Sequence, residues 1–207
     1  MLTLFTSPGS CGRASHIALE ESGLAFEIRR IDFAAQEQQS TAFLKINPKG
    51  RVPALVTDHG TLTESPAILA YIAQSAPQAR LAPLDDVFAF GRMQAFNAYL
   101  SSTVHVAHAH GRRAYRWTDD LAAMEALKRR VADNMTDCFE LIEEAMLETP
   151  WVMGETYSIA DPYLFTMAGW LESDGIAIAA FPKVHAHYKA MMQRSAVQRA
   201  LAGEKSS

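Results

Sequence analysis

Short alternating runs and helical stripes are interleaved along the first eighty residues, whereas only helical stripes follow. Leu2-Thr3-Leu4-Phe5 reads as a strand, and the segment from Gly12 to Ser22, stopped by Gly23, has the apolar spacing of an amphipathic helix. Phe26 to Ile31 alternates as a second strand. An irregular helix over Ala34 to Leu44 is ended by Asn47-Pro48-Lys49-Gly50, and Pro53 to Thr57 reads as a third strand. Asp58-His59-Gly60 turns it into Thr61-Leu62-Thr63. A helix then opens with Ser65 as N-cap and Pro66 at its first position, carrying Ile68, Leu69, Tyr71 and Ile72. The predicted order is β-α-β-α-β-β-α.

Beyond Asp85 the spacing predicts long helices over 86–113 and 119–148 and shorter ones starting at Ser158, Pro182 and Ser195. In the second of these, Leu121, Met124, Leu127, Val131, Met135, Cys138, Leu141 and Ile142 form one core-facing stripe, which makes Cys138 a buried filler. The two patterns meet at 76–85, where Pro77 and Pro83 interrupt helical spacing. This predicts an α/β domain over 1–79 and an all-helical domain over 86–207. Ser158-Ile159-Ala160-Asp161 has capping-box spacing, with Asp in place of the usual Glu or Gln, and is read as structure.

Composition narrows the class. The 207 residues are 49% hydrophobic, enough for a sizeable core, and carry a net charge of −4, which gives no electrostatic reason to expect nucleic acid. The N-terminus lacks a basic and apolar leader pattern, and no stretch has the apolar length of a membrane span. Cys11 and Cys138 are the two cysteines, so no disulfide framework is expected and a reducing cytoplasm fits.

Three segments carry candidate chemistry. Ser7-Pro8-Gly9-Ser10-Cys11 sets a cysteine at a helix start, where free amides and the helix dipole favour a thiolate and predict a lowered thiol pKa; the alternative is a small buried residue. Ala14 stands where a dithiol motif needs a second cysteine, leaving a monothiol nucleophile, a mixed-disulfide former or a partner for another molecule's thiolate. Arg51-Val52-Pro53 precedes a strand. A cis Val52-Pro53 bond would present the Val52 backbone to an extended peptide, and the alternative is a trans proline opening an edge strand. Glu64-Ser65 at a helix start suits a group with both an ammonium and a carboxylate, although Ser65 also serves as a simple cap. A thiol peptide with an amino-acid end fits all three. His105, His108 and His110 stand at steps of three and two, which does not place them on one helix face, so no metal site is predicted. His105 and His108 are expected to line the cleft, with Arg112, Arg113, Arg116 and Trp117 at its rim or in a dimer contact.

The segments 7–11, 47–55 (Asn-Pro-Lys-Gly-Arg-Val-Pro-Ala-Leu), 63–68 (Thr-Glu-Ser-Pro-Ala-Ile) and 158–165 (Ser-Ile-Ala-Asp-Pro-Tyr-Leu-Phe) together resemble the cytosolic glutathione transferases, most closely the bacterial beta class, over nearly the whole chain. The resemblance implies a thioredoxin-like N-terminal domain, an all-helical C-terminal domain, a cytoplasmic homodimer and a role in detoxification. It implies that Cys11 faces the glutathione sulfur, with Ser10 and His105 as further catalytic residues. Val52 beside a cis Pro53 would pair with the cysteinyl backbone, and Glu64 with Ser65 would hold the γ-glutamyl end. The chain departs from the family pattern at Gly12, often serine, and at Gln36, the nearest equivalent of a lysine that contacts the glycyl carboxylate. Arg51, where glutamine is frequent, is a candidate replacement for that charge.

The expected function is conjugation of glutathione, as co-substrate, to small hydrophobic electrophiles, with thiol-disulfide exchange through Cys11 as a companion activity. The alternatives are a non-catalytic ligand-binding protein of the same fold and a glutathione-dependent peroxidase or dehalogenase. No metal, nucleic acid or membrane partner is expected.

Overall fold

The computed structural model describes residues 1–205. A four-stranded sheet has the order β2-β1-β3-β4, built from β1 (Leu2–Thr6), β2 (Phe26–Arg30), β3 (Ala54–Thr57) and β4 (Gly60–Thr63). β1 pairs parallel with β2, Leu4 opposite Ile28, and antiparallel with β3, Leu4 opposite Leu55. A parallel pair needs a crossover, here α1 (Gly12–Ser22). β3 and β4 form a hairpin through Asp58-His59, with Gly60 at φ 129°. α2 (Thr41–Ile46) is shorter than the irregular helix predicted, because Glu37–Gln39 forms a separate 3-10 turn and Ser40 caps the helix by accepting from the Phe43 amide at 3.1 Å. On α3 (Ser65–Ser75) the cap is Glu64 and not Ser65, since the Glu64 carbonyl accepts the first helical bond, from the Ile68 amide at 3.0 Å.

The helical part holds α4 (Val87–Tyr99), α5 (His105–Arg112), α6 (Leu121–Arg129), α7 (Val131–Leu141), α8 (Ala160–Ala168), α9 (Pro182–Met192) and α10 (Ser195–Lys205). The predicted helix 86–113 runs as α4 and α5, joined through a π-helical segment at Leu100–Val104. The predicted helix 119–148 breaks at Arg130 and ends in a second π-helical segment, Ile142–Met146. Lys128, Arg129 and Arg130 gather at the carbonyl end of α6, where cations are favoured. Of the predicted stripe, Val131, Met135, Cys138 and Ile142 are buried, whereas Leu121, before the restart at Val131, and Leu141, at the end of α7, are exposed. The predicted helical span reaches Ser207, and Ser206 and Ser207 lie outside the described residues.

Every residue of α8 is buried, and it packs against α1, α4 and α9. Its start is fixed by Asp161, whose carboxylate accepts from the amides of Ser158 at 2.7 Å and Val152 at 2.8 Å, while the Ser158 hydroxyl accepts from the Ala160 amide at 3.2 Å. The capping box read from the sequence is therefore formed. His187 Nε2 on α9 lies 3.0 Å from the same carboxylate. α10 returns to α1, burying Val197 and Ala200 against Ile17 and flanking that contact with the pairs Arg13–Glu204, Arg194–Glu21 and Arg199–Glu20, each 2.6 Å. Among the described residues, no helix is long and apolar enough to cross a membrane.

Candidate functional site

The turn after β1 is held by its own hydroxyls. Ser10 Oγ donates to the Ser7 carbonyl at 2.7 Å and accepts from the Gly12 amide at 3.3 Å. Gly12 is set by space: a Cβ there would lie 2.1 Å from Thr6 Oγ1, so this chain's departure from serine is matched by Thr6 beneath it. Cys11 occupies the cap position of α1 and is buried at 8% exposure. Its thiol donates to the Val52 carbonyl at 3.5 Å, and the Val52-Pro53 peptide is cis.

The lowered thiol pKa expected from the helix start is reversed in the structure. Burial pushes the Cys11 thiol up, and the opposing pulls of the Ser65 hydroxyl, Arg113 and the local backbone do not offset it. Ser65 is itself buried, and its hydroxyl meets the phenol of Tyr163 on α8, a residue whose sequence context read only as core packing. Burial and the neighbouring Cys11 raise that phenol, which stays protonated and available as a donor.

Residues far along the chain hold the backbone two positions before Cys11. Trp170, just beyond α8, donates its indole N–H to the Gly9 carbonyl at 2.9 Å, while Glu204 accepts from the Gly9 amide at 3.3 Å. Glu204 is fixed in turn by Arg13 at 2.6 Å. The rings of His105 and His108 both rest on Trp170, at centroid distances of 5.0 and 4.3 Å, and His108 Nδ1 lies 2.7 Å from Asp174. Trp170 thereby joins the thiol turn to α5.

His105 is held neutral. Burial first, then Arg113, His108, Arg116 and Arg51, depress its pKa to about 3. An unfolded histidine titrates near ~6.5, so the unfolded chain takes up a proton that the native ring refuses. The stabilising difference is intact above about pH 6.5 and is lost as pH falls toward 3. His105→Gln is expected to flatten the urea-midpoint profile between about pH 6 and 4; a profile as steep as that of the unaltered chain would refute this.

The other predicted residues are placed unevenly. Arg51 is exposed and acts on the His105 ring, so it lies toward the thiol corner. Gln36 is exposed at φ 54°, and its side chain forms no hydrogen bond among the described residues. Glu64, at φ 71°, is paired with Lys49 at 2.6 Å, a partner the sequence did not single out. The structure thus brings together Cys11, Val52 and Ser65, and links His105 to the same turn through Trp170, while Ser10 serves the turn's own backbone. Among the described residues, no three His, Cys, Asp or Glu side chains are grouped to hold a metal. A cavity of about 500 Å³ bordered by Arg112, Lys128 and Asp174 includes none of the predicted site residues.

Comparison with known proteins agrees with this fold. Residues 1–74 match the family description "Glutathione S-transferase, N-terminal domain" and residues 125–190 match "Glutathione S-transferase, C-terminal domain". The glutathione S-transferase GstA of Escherichia coli is 32% identical over 206 residues, 98% of either chain. Among solved structures, a glutathione transferase homologue from Sulfitobacter with bound glutathione superposes with a TM-score of 0.96 at 42% identity, and a bacterial beta class enzyme from Sphingomonas chungbukensis with 0.85 at 36%, each covering 98% of both chains.

Proposed function

This chain belongs to the glutathione S-transferase family, and from that premise we propose that it joins the sulfur of glutathione to small hydrophobic electrophiles with Cys11 as a supporting donor. In the reaction the glutathione thiol releases its proton, its sulfur lone pair forms a bond to the electrophilic carbon, and the leaving group departs with its bonding pair. The observation that carries this reading is the meeting of Cys11, the Val52 carbonyl and Ser65 at one corner of the sheet.

In this reading the domain over 1–79 binds the tripeptide and the helical domain over 86–207 borders the second substrate. Val52, beside Pro53, pairs with the cysteinyl backbone, and Ser65 with Glu64 takes the γ-glutamyl end. Lys49 then exchanges its partner for the incoming ammonium. A buried, protonated Cys11 gives up its contact with Val52 and donates to the glutathione thiolate, which lowers the pKa of the bound thiol. Ser10 fixes the turn, and neutral His105 orients the sulfur or takes part in proton movement without adding charge. The raised Cys11 thiol favours this supporting role over attack, which supports conjugation ahead of exchange.

Arg51 is assigned to the glycyl carboxylate, with Gln36 as a weaker second contact. Arg51→Gln is expected to weaken glutathione binding about tenfold, the usual cost of losing a charged hydrogen bond. Retention on immobilised glutathione followed by calorimetry measures this. Unchanged affinity would remove Arg51 from the site, and no retention of the unaltered chain would undercut the tripeptide site altogether. Glutathione binding without turnover on a panel of electrophiles and mixed disulfides would favour the non-catalytic ligand-binding alternative, and preferential turnover of peroxides or halogenated compounds would favour the peroxidase or dehalogenase alternative.

The protein is proposed to work as a homodimer in the cytoplasm, where glutathione is maintained as a thiol pool. Val87 and Phe88 at the start of α4 are 88% and 78% exposed, beside Gly91 and Ala95 on an apolar surface suited to a second copy. Light scattering at twice 22.8 kDa is the expected result, and a monomer mass would rule the dimer out.

A further inference from the structure

The indole of Trp170 is fixed at more than one place. Its N–H donates to the Gly9 carbonyl at 2.9 Å, in the turn that carries Cys11. The His108 ring lies nearly parallel to it, 4.3 Å away between centroids and 21° between planes, and the His105 ring, one turn earlier on α5, meets it edge-on at 5.0 Å. Asp174 completes the arrangement, with its two carboxylate oxygens 2.7 and 2.9 Å from His108 Nδ1. An ionised carboxylate only accepts, so Nδ1 is the donor. The Asp174 amide in turn donates to the Trp170 carbonyl at 3.1 Å. Backbone, carboxylate, imidazole and indole thus form a closed ring of contacts whose outlet is the Gly9 carbonyl.

The contact between Asp174 and His108 is directed. Arg112 and Lys128 border the same cavity as Asp174, yet both carboxylate oxygens turn to the His108 ring. The two side chains are only 7% and 14% exposed. A largely buried polar pair is a poor source of stability, since an apolar pair of similar size packs without losing hydration. What the pair supplies is orientation: a ring merely stacked on an indole turns in its own plane, whereas one also bonded at Nδ1 does not. The Cys11 thiol needs such outside control. Its own contact, 3.5 Å to the Val52 carbonyl, comes from a weak donor, so its aim is set by the turn that carries it.

We propose that Asp174 and His108 are positioning residues: through Trp170 they hold the Gly9 carbonyl, and with it the Cys11 thiol, at the place from which that thiol donates to the glutathione sulfur. This rests on the transferase reading above and adds to it two residues from the helical part that act through another side chain.

The first measurement needs no ligand. Hydrogen exchange read by mass spectrometry compares the amides of residues 7–12 with those of α8, which is buried throughout and opens only with the whole fold. A general loss of stability speeds both sets, whereas a released turn speeds the first alone. The ratio of the two rates is expected to rise about tenfold in Asp174→Ala, the usual effect of losing a charged hydrogen bond. It should rise as much in His108→Phe, which keeps a ring on the indole without Nδ1, and return most of the way in Asp174→Asn, which keeps an acceptor. The second measurement reads the chemistry. Ultraviolet absorbance of the thiolate, taken as the difference with and without glutathione, gives the pKa of the bound thiol, which is expected to rise by about one unit in Asp174→Ala. With a chloronitrobenzene acceptor, where sulfur bonds to the ring carbon, chloride leaves with the bonding pair and the thiol proton passes to solvent, kcat should fall about tenfold. KM for glutathione should stay within about twofold, because Val52 and Ser65 still meet the tripeptide. An unchanged exchange ratio in Asp174→Ala, or a raised ratio with the bound thiol's pKa and kcat unaltered, overturns the positioning role while the transferase reading stands. If the unaltered chain binds no glutathione, the transferase reading fails, and the exchange ratio alone then decides whether Asp174 holds the turn.

Discussion

Replacing Cys11 by alanine is expected to reduce any glutathione-dependent reduction of mixed disulfides to the uncatalysed background while conjugation survives in weakened form. Exchange needs the Cys11 sulfur itself as the attacking or bridging atom, and alanine has none. Conjugation needs only a donor at that position. Losing one hydrogen bond to an anion costs ~1.5–3 kcal/mol, so kcat/KM for conjugation should fall about ten- to hundredfold. Cys11→Ser separates the roles further: the hydroxyl retains a donor, so conjugation should recover toward the unaltered rate while exchange stays absent. The same assays on one preparation decide the matter. If conjugation and exchange vanish together in both variants, Cys11 is an obligatory nucleophile and the supporting role is wrong. The structural basis is the buried thiol bonded to the Val52 carbonyl, a proton donor as it stands.

The largest loss of stability is expected at Asp161. This fully buried carboxylate accepts from the Val152 and Ser158 amides, the Ser158 hydroxyl and His187. Asp161→Ala leaves those donors without an acceptor at the start of a helix buried on all sides. Each buried donor left without its acceptor costs about 1–3 kcal/mol, so the loss of several is a large share of the ~5–15 kcal/mol that a domain typically has. Asp161→Asn keeps one acceptor oxygen and should cost less, about 1–3 kcal/mol. Urea midpoints of the three chains give the order directly, and a midpoint for Asp161→Ala within error of the parent would refute the account.

Local pattern made much of this protein legible in its sequence. α1 was readable to the residue because its apolar spacing begins after Cys11 and stops at Gly23, whose φ of 72° suits glycine. The capping box was readable because serine and aspartate three apart satisfy each other's neighbouring amides without help from elsewhere. Properties set by tertiary surroundings were hidden. The amides at a helix start lower a thiol's pKa, but the sequence does not display the burial that outweighs them at Cys11. Tyr163 looked like core and is core; only the fold brings its hydroxyl to Ser65. The breaks at Arg130 and in the two π-helical segments were hidden because apolar residues continue through them at roughly helical steps. Gly12 looked like a missing serine until Thr6 was seen to fill the space.

The two hydrogen bonds that grip Gly9 span 161 and 195 residues of sequence. During synthesis the ribosome delivers the reactive turn early and its grips late. A nascent chain therefore carries Cys11 through most of its elongation on a turn secured by bonds within the N-terminal part alone, and the two outer anchors engage after α8 and α10 have emerged and docked. Completion of the reactive corner is thus among the last events of assembly, and the cysteine's final environment signals that the two halves of the protein have come together.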